Sequence, residues 1–315
     1  MKKTICCIGS TGFIGSNIYE KLSKVDNFEV YRFSSKKSKF LENCKIKNFD
    51  YLICSAGYHP ESKNDDASVH LINKKIIKNS INLFKNSKKI ILISSFKTLI
   101  NKDEKNISSK NKYNFYRYDT HYGKNKVLME KLFVKFCKKN KKEYMILCPS
   151  HVIGPNDNKP SPNGKFFKNI LDKKILIIPK VNISLIDVRN LSEYIRNYII
   201  NEKTFIKKII LNDISIELKK YAKQIKKKQK FYFIITLNFT FVRLIYLLFK
   251  ILKTLKLVKK SPINKNTLNY IKLNPLINEK YGELKISFNQ TIDDTVNFFN
   301  TNKNLFNLKK IIKEL

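Results

Sequence analysis

Thr4-Ile5-Cys6-Cys7-Ile8-Gly9-Ser10-Thr11-Gly12-Phe13-Ile14-Gly15 lies at the start of the chain and decides how the rest is read. Residues 4–8 form a short apolar run of strand length, and from Phe13 to residue 22 the apolar positions recur with helical spacing. Three glycines occupy the corner between the two. Gly9 permits a tight turn, Gly12 lets backbone approach a pyrophosphate, and Gly15 lets the helix close on the strand. The N-terminus of such a helix turns N–H groups and a favourable dipole toward an anion. Gly9, Ser10, Thr11, Gly12, Phe13, Ile14 and Gly15 are therefore read as the wall of a dinucleotide site.

Outward from this corner, apolar strand-like runs at residues 28–33, 51–54, 90–93 and 144–148 alternate with helical patterns at 69–84 and 122–138. The strands are continuously apolar, as burial on both faces requires. Strands alternating with helices predict an α/β fold, a Rossmann-type doubly wound parallel sheet. The stretch Asn156-Asp157-Asn158-Lys159-Pro160-Ser161-Pro162-Asn163-Gly164 reads as a loop or linker. It divides a dinucleotide-binding domain, residues 1–153, from a smaller, mostly helical substrate region, residues 154–315, some of which returns to the first domain. In that second part the pattern places a helix at 165–171, a strand near 175–178 and a helix from Ser192.

With 315 residues, 43% apolar and 12% aromatic, the chain can bury a substantial core. Its net charge of +38 is spread along the whole length, in a composition rich in Lys, Asn and Ile. Such a field draws a nucleotide diphosphate toward a cleft, but no aromatic-basic motif points to a nucleic-acid partner. Six cysteines without a C-x-x-C pair read as buried thiols in a reducing, cytoplasmic setting, and no spacing suggests a metal site. The apolar run before Gly9 is too short for a signal peptide. Residues 231–258, flanked by lysines, read as one amphipathic, hydrophobic helix. Asn238 and Arg243 make it a poor transmembrane span, so it either packs on the substrate region or lies at the inner membrane face.

Two clusters suggest chemistry. Tyr122 and Lys126 stand four apart at a helix start, which puts both on one face. An ammonium beside a phenol favours the phenolate, so the tyrosine can serve as general base or acid at a substrate hydroxyl. Ser95, at a strand end, would hydrogen-bond the reacting oxygen. At the end of the second strand, where NAD-selective sites carry an acid, the chain has Arg32, Ser34 and Lys36. That leans the cofactor toward NADP(H) over NAD.

The order of glycine loop, strand-end serine and Tyr/Lys pair resembles the extended short-chain dehydrogenases/reductases, in the NAD(P)-dependent sugar epimerase/dehydratase family. The resemblance implies catalytic roles for Ser95, Tyr122 and Lys126. It also places Ser55, Ala56 and Gly57, the paired Tyr122 and Lys126, and Pro149 and Val152 beside the cofactor, and Asn73 at a family asparagine position. Leu147-Cys148-Pro149-Ser150-His151-Val152-Ile153-Gly154-Pro155 resembles the family's R-P-x-x-V-y-G-P segment, and residues 184–191 resemble a later stretch lining the substrate. Tyr281-Gly282 resembles the family's C-terminal ending. Phe96 and Lys97 follow Ser95 where sugar 4,6-dehydratases carry an acidic pair, so dehydration is disfavoured. Phe96, Lys97 and His151 are taken as substrate-facing. Ser94 reads as structural, His121 as a helix-start residue, and His59 as a loop or wall residue.

The resemblance thus implies oxidation and reduction at C4 of a nucleotide- or polyprenyl-diphosphate-linked sugar, in surface polysaccharide assembly. Two alternatives stay open: an NADPH-dependent 4-keto-sugar reductase and a non-catalytic dinucleotide-binding protein. A homodimer and a peripheral membrane contact are also left open. Three departures stand out. Ile183 replaces a phosphate-contacting Arg, Cys148 stands where Arg is usual, and only about fifteen residues separate the second strand from Asn48-Phe49-Asp50, so the third strand and its helix look truncated.

Overall fold

The structure is a computed structural model and describes residues 2–57, 66–101, 104–111, 121–201, 208–258, 261–279 and 283–303. The expectations on His59, Tyr281 and Gly282 lie outside these residues, as does the side chain of His121.

The first half runs β1 (Lys3–Ile8), α1 (Phe13–Ser23), β2 (Phe28–Ser34), β3 (Lys39–Phe40), β4 (Phe49–Cys54), α2 (Asp66–Lys85), β5 (Ser87–Ile93), β6 (Asn106–Ile107), α3 (His121–Lys139), β7 (Glu143–Pro149) and β8 (His151–Ile153). The second half runs α4 (Pro162–Asp172), β9 (Ile175–Pro179), β10 (Asn182–Asp187), α5 (Val188–Ile200), β11 (Lys208–Leu211), β12 (Ile214–Glu217), α6 (Leu218–Ile225), β13 (Phe233–Leu237), α7 (Phe239–Thr254), α8 (Lys265–Leu273), β14 (Leu276–Ile277) and α9 (Phe288–Thr301).

Seven strands form the main sheet in the order β11-β7-β5-β4-β1-β2-β3. Every pairing is parallel except the β2–β3 edge. The sheet is Rossmann-type and doubly wound. Alternate residues of β1 go to opposite faces: Cys6 and Ile8 pack with Leu52, Leu92 and Phe133, while Ile5 and Cys7 pack with Leu22, Ile91 and Ile195. Continuous apolarity in the strand sequence is the direct consequence of burial on both faces. Five of the six cysteines are buried in this interior.

The suspected truncation is present in altered form. Instead of a parallel third strand and crossover helix, the chain turns back after Ser34 and β3 pairs antiparallel with β2, Phe33 opposite Phe40. A short connection cannot return in parallel, because a parallel crossover needs a dozen residues or more. The strand β11, from the second half, completes the other edge.

Beyond the sheet, a second core gathers Phe167, Leu176, Ile178, Tyr221, Val296 and Phe299 among small sheets and helices. Two expectations need correction. The proposed helix 231–258 is a strand followed by a helix: β13 pairs in parallel with β9, and α7 begins only after Asn238. Along β13 alternate side chains, Phe233 and Ile235, are exposed while Ile234 packs inward. An unbroken apolar run hides that two-residue period, so strand and helix cannot be separated there by periodicity. The helix expected from Ser192 begins a turn earlier, at Val188, because Asp187 caps it by accepting from Arg189 N at 2.7 Å.

Candidate active site

The C-terminal ends of β1, β4, β5 and β7 point to one side of the sheet, where doubly wound folds bind ligands. A cleft of about 280 Å³ opens there. Its walls include Gly9, Gly12, Phe13, Ile14, Gly15, Ser55, Gly57, Ser95, Phe96, Lys97, Tyr122, Lys126, Pro149, His151 and Val152. Residues read separately from five stretches of sequence therefore share one site. Ser10, Thr11, Ala56, Arg32 and Ser34 do not line it.

The glycine corner is built as its spacing demands. Gly9 has φ +86°, and a Cβ there would meet Ala56 N at 2.6 Å. A Cβ on Gly15 would lie 2.1 Å from Gly9 O and 2.5 Å from Ser55 Oγ. Gly12 differs: the nearest neighbour to a Cβ there is Gly9 O at 3.4 Å, so the space above it is open. Gly12 is the N-cap of α1 and no side chain caps the helix. Ser10 Oγ is buried without a partner. An uncapped helix end and open room over Gly12 fit a pyrophosphate.

Tyr122 and Lys126 occupy the first two turns of α3 and both face the cleft. Lys126 Nζ donates to Ile93 O at 3.3 Å and lies beside Gly57, where a Cβ would come within 3.1 Å of it. Ser95 is buried at the end of β5 and caps a single turn at Phe96–Thr98, its Oγ accepting from Lys97 N at 3.3 Å. Ser94 has a different task. Its hydroxyl bonds Glu130 on α3, which is fully buried and also holds Thr98 Oγ1 at 2.8 Å and Lys208 Nζ at 2.8 Å. This layer braces β5 against α3, and so fixes Ser95 relative to Tyr122. Cys148, at the position where the resemblance expects Arg, abuts Glu130, and Lys208 from β11 supplies the cation there. Glu130 and Lys208 carry no sequence motif, and only their places on α3 and β11 bring them together.

Lys97 Nζ stands 5.5 Å from the centre of the Tyr122 ring, with no ion-pair partner among the described residues. Burial pushes its pKa down. His151 bonds the Ser184 carbonyl through Nδ1 at 2.9 Å, which makes Nδ1 the N–H donor. Burial first, then the nearby Lys97 charge, push His151 down to about 3, so it is neutral at physiological pH. Phe96 packs on its ring at 4.8 Å.

At the far end of the corner, Arg32 stacks on Tyr19 at 4.8 Å and pairs with Glu42, Nε to Oε2 3.2 Å. Glu42 also accepts from Arg32 N. An acid does stand beside the second strand, delivered from beyond β3 rather than from the strand end. Ser34 Oγ accepts from Lys37 N at 3.3 Å. Two of the three expected phosphate contacts, Arg32 and Ser34, are thus already engaged within the protein. The reading of residues 156–164 as a linker missed that Ser161, Pro162 and Asn163 reach the cleft. The Ser161 cap followed by Pro162 was the available signal of a helix start.

A doubly wound sheet with a glycine corner and a Tyr/Lys pair over its C-terminal ends defines a dinucleotide-binding protein of the extended short-chain dehydrogenase/reductase type. Residues 5–180 match the model of the NAD dependent epimerase/dehydratase family, and the chain belongs to it. No curated protein sequence matches the chain. Among solved structures it is similar to UDP-glucuronic acid 4-epimerase from Bacillus cereus in complex with NAD (TM-score 0.66, 14% identity, covering 95% of this chain and 96% of that one). It is also similar to UDP-glucose 4-epimerase from Thermotoga maritima with UDP-glucose (0.64, 16%, 95% and 99%). A third is RMD from Pseudomonas aeruginosa complexed with NADPH (0.64, 12%, 96% and 99%). At such identities the likeness is one of fold.

Proposed function

We propose that the chain interconverts C4 epimers of a diphosphate-linked sugar, carried on a nucleotide or a polyprenol, for surface polysaccharide assembly. The observation that carries this reading is the convergence of Ser95, Tyr122 and Lys126 on the cleft closed at one end by the glycine corner. The corner residues would hold the pyrophosphate of NAD(P), and Lys126, beside Gly57, would hold the nicotinamide ribose. A bound nicotinamide supplies a hydride acceptor and donor.

Tyr122 takes the proton of the sugar 4-hydroxyl as C4 is oxidised, and returns it once the keto sugar has turned. Ser95 steadies the same oxygen. The Lys126 ammonium favours the phenolate. Phe96 and Lys97 offer no acid for eliminating water, so the sugar keeps its other hydroxyls. Lys97 meets an anionic group of the substrate. At the adenosine ribose Glu42 suits the hydroxyls of NAD, and Arg32 would suit the 2′-phosphate of NADP(H) once released from Glu42.

The test is incubation with diphosphate sugars and NADPH or NAD, following nicotinamide absorbance and product together. Interconversion of C4 epimers without net change in the nicotinamide supports the proposal. Stoichiometric consumption of NADPH with a keto sugar identifies a reductase instead. Coenzyme binding without turnover of any sugar places the chain among non-catalytic dinucleotide binders.

A further inference from the structure

The strand pair β9–β13 and helix α7 leave a broad apolar surface uncovered. On the ribbon, Ile175 and Phe233 are cross-strand partners and both exposed, as are Ile177 and Ile235, while Leu176 and Ile178 point into the core. Only Val242 of the 16 residues in α7 is buried. Phe241, Leu244, Leu248, Ile251 and Leu255 are 54–61% exposed and recur at intervals of three and four, which makes one stripe along the helix. A monomer rarely leaves so much large apolar surface to water without a use.

The charge around this surface selects the occupant. Between Glu217 and Glu279 the sequence holds fifteen lysines and arginines and no aspartate or glutamate. Arg243, Lys250, Lys253 and Lys256 are exposed on or just after α7, and Lys227 and Lys230 are exposed just before β13. A second copy of the chain would bring another set of like charges against these. An anionic surface with an apolar interior satisfies both features at once. The helix is too short to cross a bilayer, about 24 Å at 1.5 Å per residue, and among the described residues no helix is long and apolar enough to do so.

We propose that β13 and α7 form a membrane-docking face. α7 lies in the interface plane of an anionic bilayer with Phe241, Leu244, Leu248, Ile251 and Leu255 inserted, and the flanking lysines meet lipid phosphates. The attachment is peripheral and salt-sensitive.

The experiment uses the full chain with phosphatidylcholine vesicles, with and without phosphatidylglycerol, read by co-sedimentation. The expected result is binding to the phosphatidylglycerol vesicles, weak binding to phosphatidylcholine alone, and release by salt. Leu248→Glu with Ile251→Glu weakens binding tenfold or more at an unchanged melting temperature. Lys250→Glu with Lys253→Glu, on exposed side chains, weakens it comparably and provides a second arm should the apolar variant fold poorly. Failure to bind anionic vesicles, or equal binding by both variants and the parent, overturns the proposal. So does a dimer in light scattering that dissociates in the Leu248→Glu/Ile251→Glu variant, since a second copy then covers the face.

Discussion

Lys97 Nζ lies 5.5 Å from the centre of the Tyr122 ring, inside the cleft that both residues line. A cation held against a phenol, with its solvation reduced by burial, is a costly arrangement unless an anion completes it. In the proposed function, Phe96 and Lys97 leave out the acidic pair that dehydration uses, and Lys97 offers its cation to an anionic group of the substrate. Replacing Lys97 with Met is expected to raise KM for a diphosphate sugar about tenfold to a hundredfold, in line with loss of a charge-assisted bond, with a smaller change in kcat. Steady-state kinetics on the epimer pair reads the split. An unchanged KM would remove Lys97 from the substrate site.

The three corner glycines are not equivalent. A Cβ at position 15 would lie 2.1 Å from Gly9 O, whereas one at position 12 meets only Gly9 O at 3.4 Å. Gly15→Ala is therefore expected to destabilise the protein by about 2–4 kcal/mol, as overpacking does when backbone must move. Gly12→Ala should melt close to the parent yet lose coenzyme protection, because its methyl occupies ligand space. Thermal unfolding with and without NAD(P) separates the two.

Glu42 holds Arg32 through its side chain and backbone. Removing the carboxylate in Glu42→Ala frees a guanidinium suited to a 2′-phosphate and removes an acid suited to the ribose hydroxyls. The expected outcome is a shift of the NADP-to-NAD affinity ratio toward NADP by about tenfold, an energy near 1.4 kcal/mol. Binding titrations of both coenzymes on parent and variant check it, and an unchanged ratio would show that neither residue reads the adenosine ribose.

Glu193 ties α5 to α1, the helix of the glycine corner. It pairs with Lys21 and Lys285, each at 2.6 Å. Burial alone would raise this carboxyl, but hydrogen bonds from Lys21 and Lys285, with their charges, overcome it and hold the pKa down at about 2. A depressed carboxyl stabilises the fold above its unfolded value, about 4.5, and the contribution fades as pH falls toward 2. Glu193→Gln should thus cost about 1–2 kcal/mol at pH 7, the exposure of both lysines keeping the figure modest, and almost nothing near pH 2. Denaturant melts of parent and variant across that range test the sign.

How far the sequence disclosed this molecule depends on the kind of signal. The glycine corner and the Tyr122/Lys126 spacing are local patterns with one geometric solution each, and both fall where the spacing puts them. The parallel sheet is equally legible, because burial on both faces leaves strands without polar positions. Glu42, Glu130 and Lys208 were invisible. Each acts on a residue distant in the chain, and in a sequence with 63 lysines and arginines no single charged position stands out. β13 was concealed by the apolar run it shares with α7, since pairing with β9 rather than local preference made it a strand. The β2–β3 edge was half legible: the missing length was countable, but the antiparallel turn that replaces it was not.

The central claim is that Tyr122 moves the proton at the sugar hydroxyl while the rest of the cleft holds coenzyme and substrate. The most direct measurement is single-turnover reduction of bound NAD(P) by a diphosphate sugar in the parent and in Tyr122→Phe, alongside coenzyme affinity. The account predicts a rate lowered about a hundredfold to ten-thousandfold with coenzyme affinity within a few-fold of the parent. A Tyr122→Phe protein that transfers hydride as fast as the parent would contradict it.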